Sequence, residues 1–74
     1  MNSLDEKIVK ILIESPTPLS TYEIAKKAGV SWSTANVHLK DLLLKGKVKS
    51  KEEFVKNKKR LVWWVEQSTI KKFI

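Results

Sequence analysis

Seventy-four residues with fifteen basic and eight acidic side chains give a net charge of +7. A chain this short buries only about 60% of its unfolded surface, so it has room for one modest core and little for a catalytic cleft beside it. It has no cysteine and a single histidine, His38, which excludes disulfides and a thiolate metal site and leaves no partners for a zinc site.

No run is apolar and long enough to span a membrane, and the N-terminus lacks a signal-peptide pattern. The expected setting is the cytoplasm, with no cofactor and no enzymatic activity.

Met1 and Asn2 are expected to fray. Ser3 followed by Glu6 reads as a capping box, so a first helix is expected over 4–14. Leu4, Ile8, Ile11 and Leu12 form its core stripe, and Val9 and Ile13 widen the apolar surface. Asp5 and Glu6 lie at the positive end of the helix dipole. Two prolines in Ser15-Pro16-Thr17-Pro18 then enforce an extended connector.

Ser20 and Glu23 make a second capping box and open a helix over 21–28, with Ile24 and Ala25 on its apolar side. Gly29 stops it, because glycine takes the left-handed conformation cheaply. Val30 is left to fill the angle to the next helix. Ser31 caps that helix, expected over 32–45, with Ala35, Leu39, Leu42 and Leu43 on one face and Gly46 as its stop.

Past Gly46 the period changes to two. Val48, Ser50, Glu52 and Phe54 alternate with Lys47, Lys49, Lys51, Glu53 and Val55, as in a strand. Lys56-Asn57-Lys58-Lys59 holds the turn, and Leu61–Val65, rich in β-branched and aromatic residues, returns. The result is a hairpin over 47–66 with a basic tip. Leu61, Trp63 and Val65 make the more apolar face and are expected to cover the helices, leaving Val62, Trp64 and Glu66 outward. The opposite register stays open, since each face carries a tryptophan. Ser68 is placed to cap a short last helix over 68–74 that carries Ile70, Phe73 and Ile74.

Opposite the apolar stripe of the third helix lie Ser33, Asn36, Val37 and Lys40. On an isolated amphipathic helix this is simply the wet side. Preceded by a short helix and the Ala25-x-x-Ala28-Gly29-Val30-Ser31 turn, it reads as the outer face of a helix-turn-helix. Ile24-Ala25, Ala28-Gly29-Val30-Ser31, Ser33-Thr34, His38-Leu39, Leu42 and Gly46-Lys47-Val48 resemble that motif in winged-helix transcription regulators of the MarR and ArsR kind. In size the chain is similar to small stand-alone winged-helix proteins of thermophilic archaea and their viruses and plasmids.

The resemblance implies an α+β fold: a single winged-helix domain over 1–74, with three helices, a two-stranded wing and a short C-terminal helix. It also implies that Pro18-Leu19-Ser20 forms a very short strand paired with the wing.

Between Lys45 and Arg60 lie eight basic residues and two acidic ones, which is +6 of the total +7. Lysine-rich surfaces are common in thermophile proteins, but this clustering favours a polyanionic partner. The expected function is sequence-specific binding of double-stranded DNA in transcription regulation. Trp32, Ser33, Asn36, Val37 and Lys40 are the candidate base readers. Tyr22, Ser31, Thr34, Lys49, Lys51, Lys56, Lys58, Lys59 and Arg60 are the candidate backbone contacts. Trp32 departs from the polar or basic residue common at that position in the family.

Single-stranded nucleic acid, RNA and left-handed duplex are alternative targets, and a protein-interaction winged helix is another alternative. Asn36 falls where Z-form-binding winged domains have asparagine, but Lys40 replaces their tyrosine, Val37 an arginine, and the wing lacks their proline pair. The basic wing opposes the protein-interaction reading, while the apolar C-terminus favours it. Ile70, Phe73 and Ile74 are candidate homodimer contacts, or a cover for Val9 and Ile13 of the same chain. No ligand pocket or redox residue points to a small-molecule effector.

Overall fold

The computed structural model describes residues 3–66. The fraying expected of Met1 and Asn2, the C-terminal helix over 68–74 and the dimer contacts Ile70, Phe73 and Ile74 lie outside the described residues. In chain order come α1 (Ser3–Glu14), β1 (Leu19–Ser20), α2 (Thr21–Ala28), α3 (Trp32–Leu44), β2 (Lys49–Val55) and β3 (Lys58–Trp64). The three helices and the hairpin are those expected from sequence. β1 pairs antiparallel with β3, so the sheet has the order β1-β3-β2.

Local chemistry sets the helix ends. Ser20 accepts from the Glu23 backbone N–H at 3.2 Å, and Glu23 accepts from the Ser20 N–H at 3.0 Å, completing the capping box that starts α2. Gly29 and Gly46 both lie at a φ of 74°. At each, the next amide reaches back five residues, from Val30 to the Ala25 carbonyl at 3.0 Å and from Lys47 to the Leu42 carbonyl at 2.9 Å. These are Schellman closures, which need the left-handed backbone that glycine adopts without strain. α1 already includes Ser3, so Ser3 is the first helical residue rather than the expected cap before it.

Ile8 and Leu12 of α1, Ile24 and Ala25 of α2, Ala35, Leu39 and Leu42 of α3, and Leu19, Val48 and Trp63 form the buried core. Leu4, Val9, Ile11, Val30, Leu61 and Val65 pack against it half-buried. Truncating a buried leucine such as Leu39 to alanine costs about 2–5 kcal/mol in such a core.

Leu43, expected in the core, is exposed. At about 100° per residue it sits some 80° from Ala35, at the margin of the stripe, whereas Leu39 and Leu42 fall within about 40°. Leu44 lies opposite the stripe and is also exposed.

The register of the hairpin settles its faces. Ser50, Glu52 and Phe54 stand opposite Trp63, Leu61 and Lys59; Lys49, Lys51, Glu53 and Val55 stand opposite Trp64, Val62, Arg60 and Lys58. Opposed residues share a face, so Leu61 and Trp63 lie on the inner side, as expected. Val62, expected outward, is buried as well. It sits in the middle strand between Ser20 and Lys51, whose side chains share its face and flank it on both sides.

Candidate nucleic-acid interface

The outer face of α3 is held in place from behind. Ala35, Leu39 and Leu42 are buried, which turns Ser33, Val37 and Lys40 into solvent. Asn36 lies at the edge of this face and is half-buried, while Val37 is 66% exposed. His38, on the flank, brings its Nδ1 to 2.7 Å from Oδ1 of Asp5, a buried carboxylate at the start of α1. That pair fixes the rotation of α3 against α1. In sequence, Asp5 reads only as a dipole partner and His38 only as a histidine without metal partners. Nothing in the local pattern of either residue signals a pairing across 33 positions.

Ser31 is committed to capping. Its Oγ accepts from the Thr34 amide at 3.2 Å and donates to Thr34 Oγ1 at 2.9 Å. Thr34 is half-buried. The free amides at the start of α3 point out beside Trp32 and Ser33, both exposed.

Tyr22 and Trp32, ten positions apart in sequence, meet the wing across a groove of about 460 Å³. Ser20, Thr21, Glu23, Lys59, Arg60 and Leu61 complete its lining. Trp32 is 54% exposed there. Arg60 also reaches Glu23 electrostatically. It helps hold that carboxyl below its ordinary value, though the main cause is the hydrogen bond from the Ser20 amide. Of the expected contacts, the fold therefore brings Tyr22, Trp32, Lys59 and Arg60 together. Ser33, Thr34 and Val37 line a separate shallow depression with His38.

The wing's charges are less free than its composition implies. Lys59 Nζ lies 2.8 Å from Glu52 Oε2, and Arg60 donates from Nε and Nη2 to Glu53 Oε1 at 3.2 and 2.9 Å. The Glu52 contact raises the Lys59 pKa above its ordinary value. Lys49, Lys51, Lys56 and Lys58 form no ion pair with another described residue. The register explains the pairing. The hairpin turns at Lys56-Asn57, both with positive φ (52° and 65°), the geometry of a two-residue type I′ loop. With the turn there, Glu53 falls opposite Arg60, and Glu52 diagonal to Lys59. The sequence expectation spread the turn over four residues and so missed both pairs.

Among the described residues no helix is long and apolar enough to cross a membrane, and no group of three His, Cys, Asp or Glu side chains is placed to hold a metal ion.

Two short helices with a glycine turn, a polar outer face on the second, and a basic hairpin beside it define a winged helix-turn-helix domain. The chain belongs to the winged helix-turn-helix DNA-binding family, whose model matches residues 1–49. That match stops where β2 begins, so the wing rests on the structure.

No curated protein matches the sequence. Among solved structures, a possible transcriptional regulator from Methanosarcina mazei superposes with a TM-score of 0.81 at 15% identity, covering 97% of this chain. This chain spans 62% of that protein's length. Stf76 from the Sulfolobus islandicus plasmid-virus pSSVx gives 0.76 at 15% identity, covering 99% of this chain and 96% of its own. A PadR family transcription regulator from Clostridium difficile gives 0.75 at 24%, covering 97% and 79%. At these identities the likeness is one of fold.

Proposed function

We propose that this domain binds double-stranded DNA sequence-specifically and regulates transcription. One observation carries the reading. Ser33, Val37 and Lys40 stand in solvent, with half-buried Asn36 at their edge, on a helix whose opposite face is buried, beside a hairpin with four lysines that form no ion pair with another described residue. α3 enters the major groove with its N-terminal half against the base edges. Asn36 pairs with adenine, Ser33 and Lys40 serve as secondary readers, and Val37 and Trp32 contact thymine methyls or sugar. Tyr22, Ser31 and Thr34 lie along the flanking phosphates, as do Lys49, Lys51, Lys56, Lys58, Lys59 and Arg60 of the wing, which follows the backbone or the adjacent minor groove. One fold neighbour is named a PadR family transcription regulator and another a possible transcriptional regulator, which supports the regulatory part.

One such domain covers a short half-site, so the working form is a homodimer reading two half-sites about one helical turn apart. Selection of bound sequences from a random duplex pool tests the reading. An enriched motif establishes specific recognition, and a palindromic motif establishes the dimer. Recovery of no motif, with equal retention of random duplexes, removes sequence specificity. Sedimentation of the full chain as a monomer on a single half-site removes the dimer.

A further inference from the structure

Phe54 is 72% exposed on a hairpin whose neighbouring side chains are almost all charged. It lies next to the end of β2, opposite Lys59, and every residue from Phe54 to Arg60 is exposed. No core residue needs it. Resting on the DNA-binding reading above, we propose that Phe54 is a wedge that enters the minor groove, partly unstacks a base step and kinks the duplex.

The register gives the wedge its direction. Phe54 shares the inner face of the wing with Leu61, which stands opposite Glu52, one position nearer the base on that face. Leu61 lines the groove with Tyr22 and Trp32. Phe54 therefore continues outward the side of the molecule on which the N-termini of α2 and α3 open. A duplex lying across Trp32 and Ser33 meets the wing on this side. The Glu52–Lys59 pair spans the same face at 2.8 Å and draws the Lys59 ammonium toward the base of the wing, away from the tip. Lys56 in the turn and Lys58, which stands opposite Val55 on the other face of the hairpin, form no ion pair with another described residue and put two cations at the tip, suited to the phosphates that border a minor groove. The two-residue loop, with both central residues at positive φ, keeps the tip narrow and stiff.

An apolar side chain inserted at a basic tip is the arrangement with which minor-groove proteins pry open a step and bend DNA by ~20–90°. Lysines alone would give a wing that tracks phosphates without deforming them. Pyrimidine–purine steps unstack most readily, so a TA step under the wing is the preferred point of entry, and sequence preference arises there without a base contact.

The test uses the full chain and the duplex enriched by selection, with dyes at the two ends and 2-aminopurine in the TA step nearest the wing. Energy transfer reads the bend, and 2-aminopurine fluorescence reads unstacking. Binding of the native chain should raise both signals. Phe54→Ala should abolish both and weaken binding about tenfold, the cost of one aromatic ring no longer buried. Phe54→Leu should keep much of the bend, and Phe54→Lys should bind without bending. Phe54 is exposed, so these variants are expected to fold, and circular dichroism checks it.

A native complex with a straight, stacked duplex overturns the wedge while leaving DNA binding standing, and so does equal bending by Phe54→Ala. Retention of no duplex by the native chain removes the DNA-binding reading and the wedge with it.

Discussion

Trp63 Nε1 donates a hydrogen bond to Thr21 Oγ1 at 2.9 Å, and both residues are buried. The bond joins the middle strand of the sheet to the first residue of α2. It therefore ties the wing to the helix-turn-helix, and on the proposed reading their relative placement decides whether both reach one duplex. A buried indole N–H without a partner costs more than a hydrogen bond contributes when made. Thr21→Val keeps the shape and removes the acceptor, and should destabilise the chain by about 1–3 kcal/mol in urea unfolding. Trp63→Phe should cost more, through the cavity. The double variant should cost less than the two together, since the N–H left stranded by Thr21→Val is then absent. Full additivity in that cycle would show that the bond contributes nothing to the joint.

How much of this was legible in sequence depends on the range of the interaction. Ser20 with Glu23, Gly29 and Gly46 are local signals, because the chemistry that ends a helix sits within a few residues of the end. The α3 stripe was legible to within its margin, where Leu43 falls outside. The wing was legible as a hairpin but not in register. Once Lys56-Asn57 is fixed as the loop, the Glu52–Lys59 and Glu53–Arg60 pairs follow by counting. Trp63–Thr21 and His38–Asp5 were not legible, since each joins elements whose relative placement only the packed core determines. Phe54 was read as one member of an alternating strand. Its exposure becomes informative only when the inner face of the wing is known to run past the end of the core.

Acid should loosen α2 through Glu23. The hydrogen bond from the Ser20 amide holds its carboxyl below the ordinary 4.5 against the opposing effect of burial, with smaller help from the Ser20 hydroxyl and the charges of Arg60 and Lys27. A lowered folded value means that this stabilisation is complete above about 4.5 and is lost as pH falls through the lowered value. Glu23→Gln should flatten that acid limb of the stability curve while leaving a neutral cap. Ser20→Ala, which removes the other half of the box, should cost about 0.5–2 kcal/mol at neutral pH. Thermal unfolding of the two variants from pH 3 to 7 checks both, and an unchanged acid limb in Glu23→Gln would falsify the assignment.

The wing's ion pairs make its cations unequal in binding. Each lysine that neutralises a phosphate contributes about 0.9 to the slope of log K against log salt. Replacing Lys56 and Lys58 by alanine should therefore reduce the slope by about 2 and weaken all duplexes alike. Lys59→Ala should change it less, because Lys59 must first leave Glu52. Replacing Glu52 and Glu53 by glutamine frees Lys59 and Arg60 and removes two negative charges from the wing, so affinity for any duplex should rise. Titrations between 50 and 200 mM salt distinguish these cases. A Lys56/Lys58 variant with the native slope would place the wing away from DNA.

Base reading should centre on Asn36, because its carboxamide can pair with adenine through both its oxygen and its NH2. It is half-buried at the edge of the outer face, between Ser33 and Lys40. Asn36→Ala should cost about 1–3 kcal/mol on the preferred duplex and little on random DNA. Ser33→Ala, Val37→Ala and Lys40→Ala should show smaller effects of the same kind.

His38→Ala provides the contrast. It leaves Asp5 buried without its partner, so it should lower stability, while the ratio of preferred to random binding by the folded fraction stays near that of the native chain. Binding of both duplexes by each variant, with unfolding measured alongside, separates a reader from a support. Equal losses on preferred and random DNA for Asn36→Ala would move Asn36 to the phosphate backbone. Absence of loss on either would take this face of α3 out of the interface.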